Sequence, residues 1–406
     1  MFFVFNSFYL ENPSFRPKNK LFKETIKITG SKSESNRSLL LSALYPGIKI
    51  LNLSNSDDAQ VMEAGLKRTE GTVDIHHAGT AMRFLTGYFA ALEGSDVILT
   101  GSKRMTERPI KILVDALNEL GADISYVNDE GYPPLRINGK KLSRTKVSLP
   151  ANISSQYISS LLLVAPSLEN GLEIELIGKI TSVPYIKMTL ALLGEIGVES
   201  NFIENTISVK PKVEVNPITL VVESDWSSAS YFYSIVALSD VGTEITLSAY
   251  KKNSLQGDSV LQDIYTDFGV ETSFGDNQIT LKKVSERPTS NINCDLANAP
   301  DIARTIAVTC FGLGIGCHLK GLHTLKIKET DRLEALNTEL TKLGADISVT
   351  DKTLTLNVSK NINSEIAIDT YNDHRMAMAF APLALRTSLI INDAMVVTKS
   401  YPRLLA

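Results

Sequence analysis

Cysteine is scarce in this chain: Cys294, Cys310 and Cys317 are odd in number, lie in one stretch and form no C-x-x-C pair. That pattern argues against a disulfide framework and a zinc site, and it fits a reducing cytoplasm. Charge of one sign is not in excess either. The 41 Lys and Arg face 45 Asp and Glu for a net charge of -4, so no global positive field draws nucleic acid or anionic lipid. Long apolar runs are missing, because Gly, Pro or charge breaks each candidate before the roughly 18 residues of a spanning helix are reached. The apolar start, residues 1–9, lacks a basic n-region and a small-residue cleavage site, so it reads as an edge strand or frayed terminus and not as a signal peptide. What is there, 43% hydrophobic and 21% charged residues over 406 positions, suffices for two domains with real cores and excludes general disorder. The expectation is a soluble, cytoplasmic, monomeric protein with no nucleic-acid or membrane partner.

Internal repetition organises the chain. One recurring unit is an amphipathic helix closed by Gly and running into a strand, at residues 113–124 (LVDALNELGADI), 190–199 (LALLGEIGVE), 261–271 (LQDIYTDFGVE) and 333–347 (LEALNTELTKLGADI). Its glycines, Gly121, Gly197, Gly269 and Gly344, recur about every 75 residues. Each suits a helix C-cap, where a left-handed backbone is cheapest without a Cβ. Between these lies a second unit, a small-residue-rich apolar helix, a turn and an alternating strand, with exits such as LEGSDVILTG, LENGLEIEL and LSDVGTEITL. The six copies predict an α/β fold of βαβαβ-type modules, three per domain. The midpoint near Val222 assigns residues 30–222 to one domain and residues 1–29 with 223–406 to the other. The first copy is short, and the N-terminal strand 24–29 is expected to complete the last module.

The starts of the six small-residue helices carry the chemistry. They read GSKSESNR from Gly30, HAGTAMR from His77, NISSQ from Asn152, SDWSS from Ser224, NAPD from Asn298 and NDHR from Asn372. A helix N-terminus offers unpaired backbone N–H groups and partial positive charge, which bind phosphate or carboxylate. Plain capping by Ser, Asn and Asp explains any one of them without a ligand. Cations at Lys32, Arg37, Arg83 and Arg375 oppose the helix dipole, however, and an anionic ligand would relieve them. A second cluster, Lys328-Glu329-Thr330-Asp331-Arg332, leads into a helix with Leu333, Leu336, Leu340 and Leu343 on one face. If that helix includes the cluster, Lys328 and Arg332 share a face, and Asp331 with Glu334 forms a capping box. Thr106-Glu107-Arg108-Pro109 is a similar start, with Pro109 suited to the first helical position.

GSKSESNR, HAGTAMRFL, MTERPI, SSQYISSLLL, DWSSASYF, KETDRL, NDHRMAMAFAPLAL and TKSYP, in that order between residues 30 and 402, resemble the EPSP synthase family of enolpyruvyl transferases. The resemblance implies a two-domain inside-out α/β barrel of six modules around a central cleft, needing no metal or cofactor. It implies transfer of the enolpyruvyl group of phosphoenolpyruvate to the 5-hydroxyl of shikimate 3-phosphate, with loss of phosphate, on the way to chorismate and the aromatic amino acids. By resemblance Lys32, Arg108, Arg332, Arg375 and Lys399 hold phosphoenolpyruvate beside the backbone of Gly79. Lys32, Ser33, Arg37, Ser154, Ser155, Gln156, Ser182, Tyr185, Asp301 and Lys328 hold shikimate 3-phosphate, mostly from the N-terminal domain. Asp301 then suits the base on the 5-hydroxyl and Glu329 the acid on the methylene carbon. Lys32 counts with them as catalytic, and His374 is either a proton shuttle or a helix cap. The family's inhibitor glyphosate is expected to bind beside Gly79.

Several positions depart from the family pattern. His77 stands where Asn is frequent, Phe84 where Pro is frequent and Thr324 where Asn is frequent. After Lys399-Ser400-Tyr401-Pro402 the family continues with an acidic, aromatic helix, whereas this sequence has only Arg403 to Ala406. The expected effects are exposed apolar surface and a looser Lys399. Two other readings stand beside this one. The sister transferase acting on UDP-N-acetylglucosamine usually carries a reactive cysteine in its first domain, and all three cysteines here lie in the second half. A non-catalytic anion-binding relative is disfavoured by the presence of Lys32, Asp301, Glu329 and Arg375.

Overall fold

The computed structural model describes residues 2–4, 7–10, 23–151, 154–180, 182–286, 291–327 and 330–399. Two compact units emerge. One is continuous, Thr29–Glu223, and the other is discontinuous, Met1–Ile28 with Ser224–Ala406. No helix among the described residues is long and apolar enough to cross a membrane.

Each unit holds three sheets built on one plan. A helical crossover joins two parallel strands, and an antiparallel hairpin then extends the second of them. Glu70–Asp74 pairs in parallel with Asp96–Thr100, which pairs with Leu135–Asn138 and through it with Asp123–Tyr126. The sheets led by Lys146–Pro150 and by Ile292–Asp295 repeat the pattern. The first module is the exception anticipated from its shortness. Its sheet has two strands, Ile48–Leu51 and Ile218–Val221.

The N-terminal closure differs from the expectation. The strand spans Lys23–Ile26, not 24–29, and pairs in parallel with Glu244–Ser248 in the sheet that follows the unit boundary. The last module is completed instead by Phe2–Val4 and Ser7–Leu10, the latter antiparallel to Leu389–Asn392. That module contains only one parallel pair of its own, Ile366–Ile368 with Leu389–Asn392, so the hairpin position is filled from the other end of the chain. Residues 2–4 are thus an edge strand, and residues 7–10 an interior one.

The small-residue helices are the cores of the units, which is why they lack a polar face. Every residue of Gly79–Ala91 but the last is buried. A Cβ on Gly87 would lie 2.5 Å from Ser160 Oγ, so glycine there lets this helix touch Ser155–Val164. Hydroxyls within this core find partners across helices. Ser160 donates to the carbonyl of Arg83 at 2.7 Å, and in the other unit Thr309 donates to Ser234 at 2.8 Å. Buried polar groups left unpaired would be costly, so these pairs set the register of otherwise featureless helices. The amphipathic helices pack outside: Arg332–Lys342 buries Leu333, Leu336 and Leu340. Gly121, Gly197, Gly269 and Gly344 all have positive φ, between 74° and 106°, as expected of their helix ends.

Two boundaries are corrected. The helix after Arg108 runs Lys111–Glu119 with Ile110 at its N-cap, so Pro109 stays outside, where its carbonyl accepts from Arg83 and Tyr157. The helix after the KETDR stretch begins at Arg332 because Asp331 caps it, accepting from the N–H groups of Leu333 and Glu334 at 3.2 Å. Thr330 and Asp331 thus precede the helix, and the expected pairing of Lys328 with Arg332 on one face falls outside the described residues.

Candidate active site

The capping explanation separates the helix starts into two groups. Ser154, Asp225 and Asp373 each accept a hydrogen bond from a backbone N–H of their own helix's first turn. Ser31 before Lys32–Leu44, Ala78 before Gly79–Ala91 and Ala299 before Pro300–Ile302 provide no side-chain cap. The first two, which open full α-helices, keep the anion-binding potential that the sequence suggested.

In the continuous unit Lys32 stands at the first position of its helix, with Nζ 3.2 Å from Asp58 Oδ2. Asp58 lies in the first turn of Asp57–Leu66, a favourable place for a carboxylate. Sequence reasoning missed Asp58, although a doubled Asp at a helix start was a usable signal. Gly79 opens the neighbouring helix under the Arg108 guanidinium: a Cβ there would lie 2.5 Å from Nη1. Only glycine allows that approach. Gln156 reaches back to this start, donating to Thr80 Oγ1 at 3.1 Å, and Ser154 caps the helix carrying Ser155 and Gln156.

Arg37 and Arg83 are placed differently from expectation. Arg37 is 2% exposed, donating to Thr189 Oγ1 at 2.8 Å, the Ser33 carbonyl at 2.9 Å and Ser159 Oγ at 2.9 Å. Its guanidinium carbon lies 5.2 Å from the Phe84 ring centroid and 5.9 Å from that of Tyr185. Phe84 thus forms part of the Arg37 pocket. Burial pulls the Arg37 pKa down to about 10, against the charges of Tyr185 and Glu34. Arg83 donates to the carbonyls of Gly79 and Pro109, so its guanidinium is satisfied by backbone oxygens and needs no ligand. Burial and then the neighbouring Arg108 lower its pKa to about 10. Ser182 sits at φ +55° before Val183–Glu195 and forms no cap.

The discontinuous unit gathers three guanidiniums around two carboxylates. Asp373 is fully buried and accepts at Oδ2 from Arg332 Nε at 2.6 Å and from Arg304 Nη1 at 3.2 Å. Its Oδ1 caps the last helix through the Arg375 N–H at 2.9 Å, so Asp373, and not His374, is the cap. Arg332 extends its Nη1 to Asp301 Oδ1 at 2.8 Å, while Arg375 Nη2 lies 3.7 Å from Asp301 Oδ2. Asp301 and Arg375 retain 12 and 13% side-chain exposure, and Arg304 and Arg332 only 1 and 2%. Two sealed arginines therefore hold Asp301, while Arg375 and Asp301 remain within reach of a ligand. Burial opposes the charge on Arg375, but Asp301, Tyr231, Asp225 and Asp258 hold its pKa well above the usual arginine value. Burial and then Arg332 lower that of Arg304 to about 10. Arg304 was missed at the sequence level; its position three residues after Asp301, in the same helical turn, was the available signal.

Thr324 Oγ1 is buried with no hydrogen-bond partner among the described residues. Lys328 and Glu329 lie outside the described residues, as do residues 400–406; for Lys399 only the backbone is described, at the end of Ala394–Lys399.

Uncapped helix starts beside cations in one unit, and a carboxylate among guanidiniums in the other, are features of an α/β protein that binds anions. Residues 68–406 match the EPSP synthase family, 3-phosphoshikimate 1-carboxyvinyltransferase. A 3-phosphoshikimate 1-carboxyvinyltransferase of Bacteroides fragilis is 44% identical over 385 residues, 94% of this chain and 93% of that protein. Its namesake from Haemophilus influenzae is 39% identical over 419 residues, with 93% and 94% covered. The solved EPSP synthase of Acinetobacter baumannii matches in fold with a TM-score of 0.77 at 20% identity, covering 95% of this chain and 94% of its own. The chain belongs to the EPSP synthase family.

Proposed function

We propose that the chain transfers the carboxyvinyl group of phosphoenolpyruvate to the 5-hydroxyl of shikimate 3-phosphate, with Asp301 as the base. The observation that carries this reading is the Asp301 carboxylate, fixed at 2.8 Å by a buried Arg332 yet accessible beside Arg375. As the hydroxyl oxygen bonds to C2 of phosphoenolpyruvate, its proton passes to Asp301 while C3 gains a proton. The resulting tetrahedral adduct keeps its phosphate. Loss of that phosphate and of a C3 proton then restores the double bond as an enol ether. Glu329 remains the residue the family resemblance names for the C3 proton.

Arg332 and Arg375 suit the donor's carboxylate and phosphate because planar guanidiniums bind such groups bidentately. Lys32, Arg108 and the uncapped start at Gly79 add charge and N–H groups for the same anions, and Lys399 joins them by resemblance. Ser33, Ser154, Ser155, Gln156, Ser182, Tyr185 and Lys328 are the residues proposed for shikimate 3-phosphate. Arg37, with its donors on protein oxygens, supports them by fixing Tyr185 and Ser33. Mass spectrometry of the product tests the reading: shikimate 3-phosphate should gain one carboxyvinyl group, and an unmodified acceptor after prolonged incubation would refute it.

A further inference from the structure

A carboxylate outside this machinery has an unanswered acceptor. Asp258 lies in the turn Gly257–Val260, is 5% exposed, and takes the Ser227 hydroxyl at Oδ2. Its Oδ1 is buried and has no hydrogen-bond partner among the described residues. The turn is anchored from beside it. Gln256 accepts the Trp226 N–H at 3.0 Å and donates to the Ser224 carbonyl at 2.9 Å, which holds Asp258 against the start of Trp226–Leu238.

The helix Trp226–Leu238 packs against both the turn of Asp258 and the turn Pro300–Ile302 that carries Asp301, which places Asp258 beside the Asp301–Arg375 pair; the charges of Asp301, Arg375 and Asp225 act on it there. Arg375 is the complementary half. Its guanidinium has the 3.7 Å ion pair to Asp301 but no hydrogen bond to any described residue. A donor-rich group and an open acceptor thus share one neighbourhood, unjoined. A cation against Asp301 also makes that carboxylate a weaker base, because opposite charge favours the ionised form.

We propose that Asp258 is a positioning residue for Arg375: when the anionic donor loads, Oδ1 accepts a guanidinium N–H, drawing Arg375 off Asp301, whose carboxylate, still held by Arg332, becomes the stronger base. This rests on the reading of Asp301 and Arg375 given above. The energetics agree with a functional role. Burial, and then the charge of Asp301, raise the Asp258 pKa to about 6. Between the ordinary aspartate value near 4 and about 6, the folded chain holds a proton that the unfolded chain has lost, so stability falls as pH rises through that window. At neutral pH the ionised side chain is a burden on the fold.

The test compares the whole chain with Asp258→Asn. The neutral amide should melt no lower, and at pH 7 higher, while kcat/KM for phosphoenolpyruvate falls about tenfold and the KM for shikimate 3-phosphate stays within twofold. The decline in kcat/KM as pH drops through about 6 should disappear in the variant. Should Asp258→Asn fold poorly, Ser227→Ala, which releases Oδ2, should shift the phosphoenolpyruvate term about threefold the same way. Kinetics and pH profile within twofold of the unmodified chain, or equal losses for both substrates, would overturn the proposal. Absence of turnover by the unmodified chain would strike the underlying reading instead. Calorimetric titration of phosphoenolpyruvate would still decide Asp258, with weaker binding by the variant expected and equal binding contradicting it.

Discussion

Arg332 donates Nε to Asp373 Oδ2 at 2.6 Å with both side chains sealed from water, 2 and 0% exposed. The pair bridges the start of one outer helix to the start of the last core helix, and Arg304 joins it from a third element. Asp373→Ala would leave two buried guanidiniums short of a counter-charge and uncap the last helix. The expected loss is about 3–5 kcal/mol, read from urea unfolding. A loss under about 1 kcal/mol would mean that the cluster is far wetter than its burial indicates.

Arg37 should behave as a structural residue of the continuous unit. Arg37→Met strands the acceptors now served by its guanidinium, at an expected cost of about 3 kcal/mol. Phe84→Leu removes only the ring beneath the charge, costing about 1 kcal/mol. Thermal melts of both variants check the ranking; equal stability of Arg37→Met and the unmodified chain would return Arg37 to direct substrate contact.

Gly79→Ala puts a Cβ 2.5 Å from Arg108 Nη1, so the guanidinium must swing away. A side-chain tip yields readily, so the fold should survive. The KM for phosphoenolpyruvate should rise about tenfold, near 1.4 kcal/mol of binding, and inhibition by glyphosate should weaken at least as much. Unchanged inhibition would remove Gly79 and Arg108 from the donor pocket.

Lys283 offers a pH test of the discontinuous unit. The residue is 2% exposed, and its ammonium donates to the carbonyls of Ala237 at 2.9 Å and Phe268 at 2.6 Å. Burial lowers its pKa to about 8, below the value near 10.4 of an unfolded lysine. Below pH 8 both states hold the proton; between about 8 and 10.4 only the unfolded chain does, so stability gains with rising pH. The stability difference between the unmodified chain and Lys283→Met should therefore move in favour of the unmodified chain across that range. A pH-independent difference would contradict the burial of this charge.

The six-fold plan was legible because its punctuation is local. A glycine ending a helix needs positive φ, and that requirement shows in sequence wherever the helix periodicity stops. Strand partnership was not legible. Whether Lys23–Ile26 joins the sheet of Glu244–Ser248 or the last module depends on pairing across more than 200 residues, with no turn to set register. The candidate site divided in the same way. Lys32 and Gly79 stand out by type and helix position, whereas the role assigned to Asp301 came from the family resemblance. Arg37 and Arg83 look identical to ligand-binding arginines in a sequence, and only the surrounding carbonyls and hydroxyls reveal them as buried supports. Asp258 carried no sequence signal, since the role proposed for it rests on an oxygen left unpaired by the packing of its turn.

The most direct test of the account is phosphate release from phosphoenolpyruvate by the unmodified 406-residue chain, with shikimate 3-phosphate or UDP-N-acetylglucosamine as acceptor. Release with shikimate 3-phosphate alone is predicted, falling about 10²- to 10⁴-fold in Asp301→Asn. Release with UDP-N-acetylglucosamine alone, or undiminished turnover by Asp301→Asn, would contradict it.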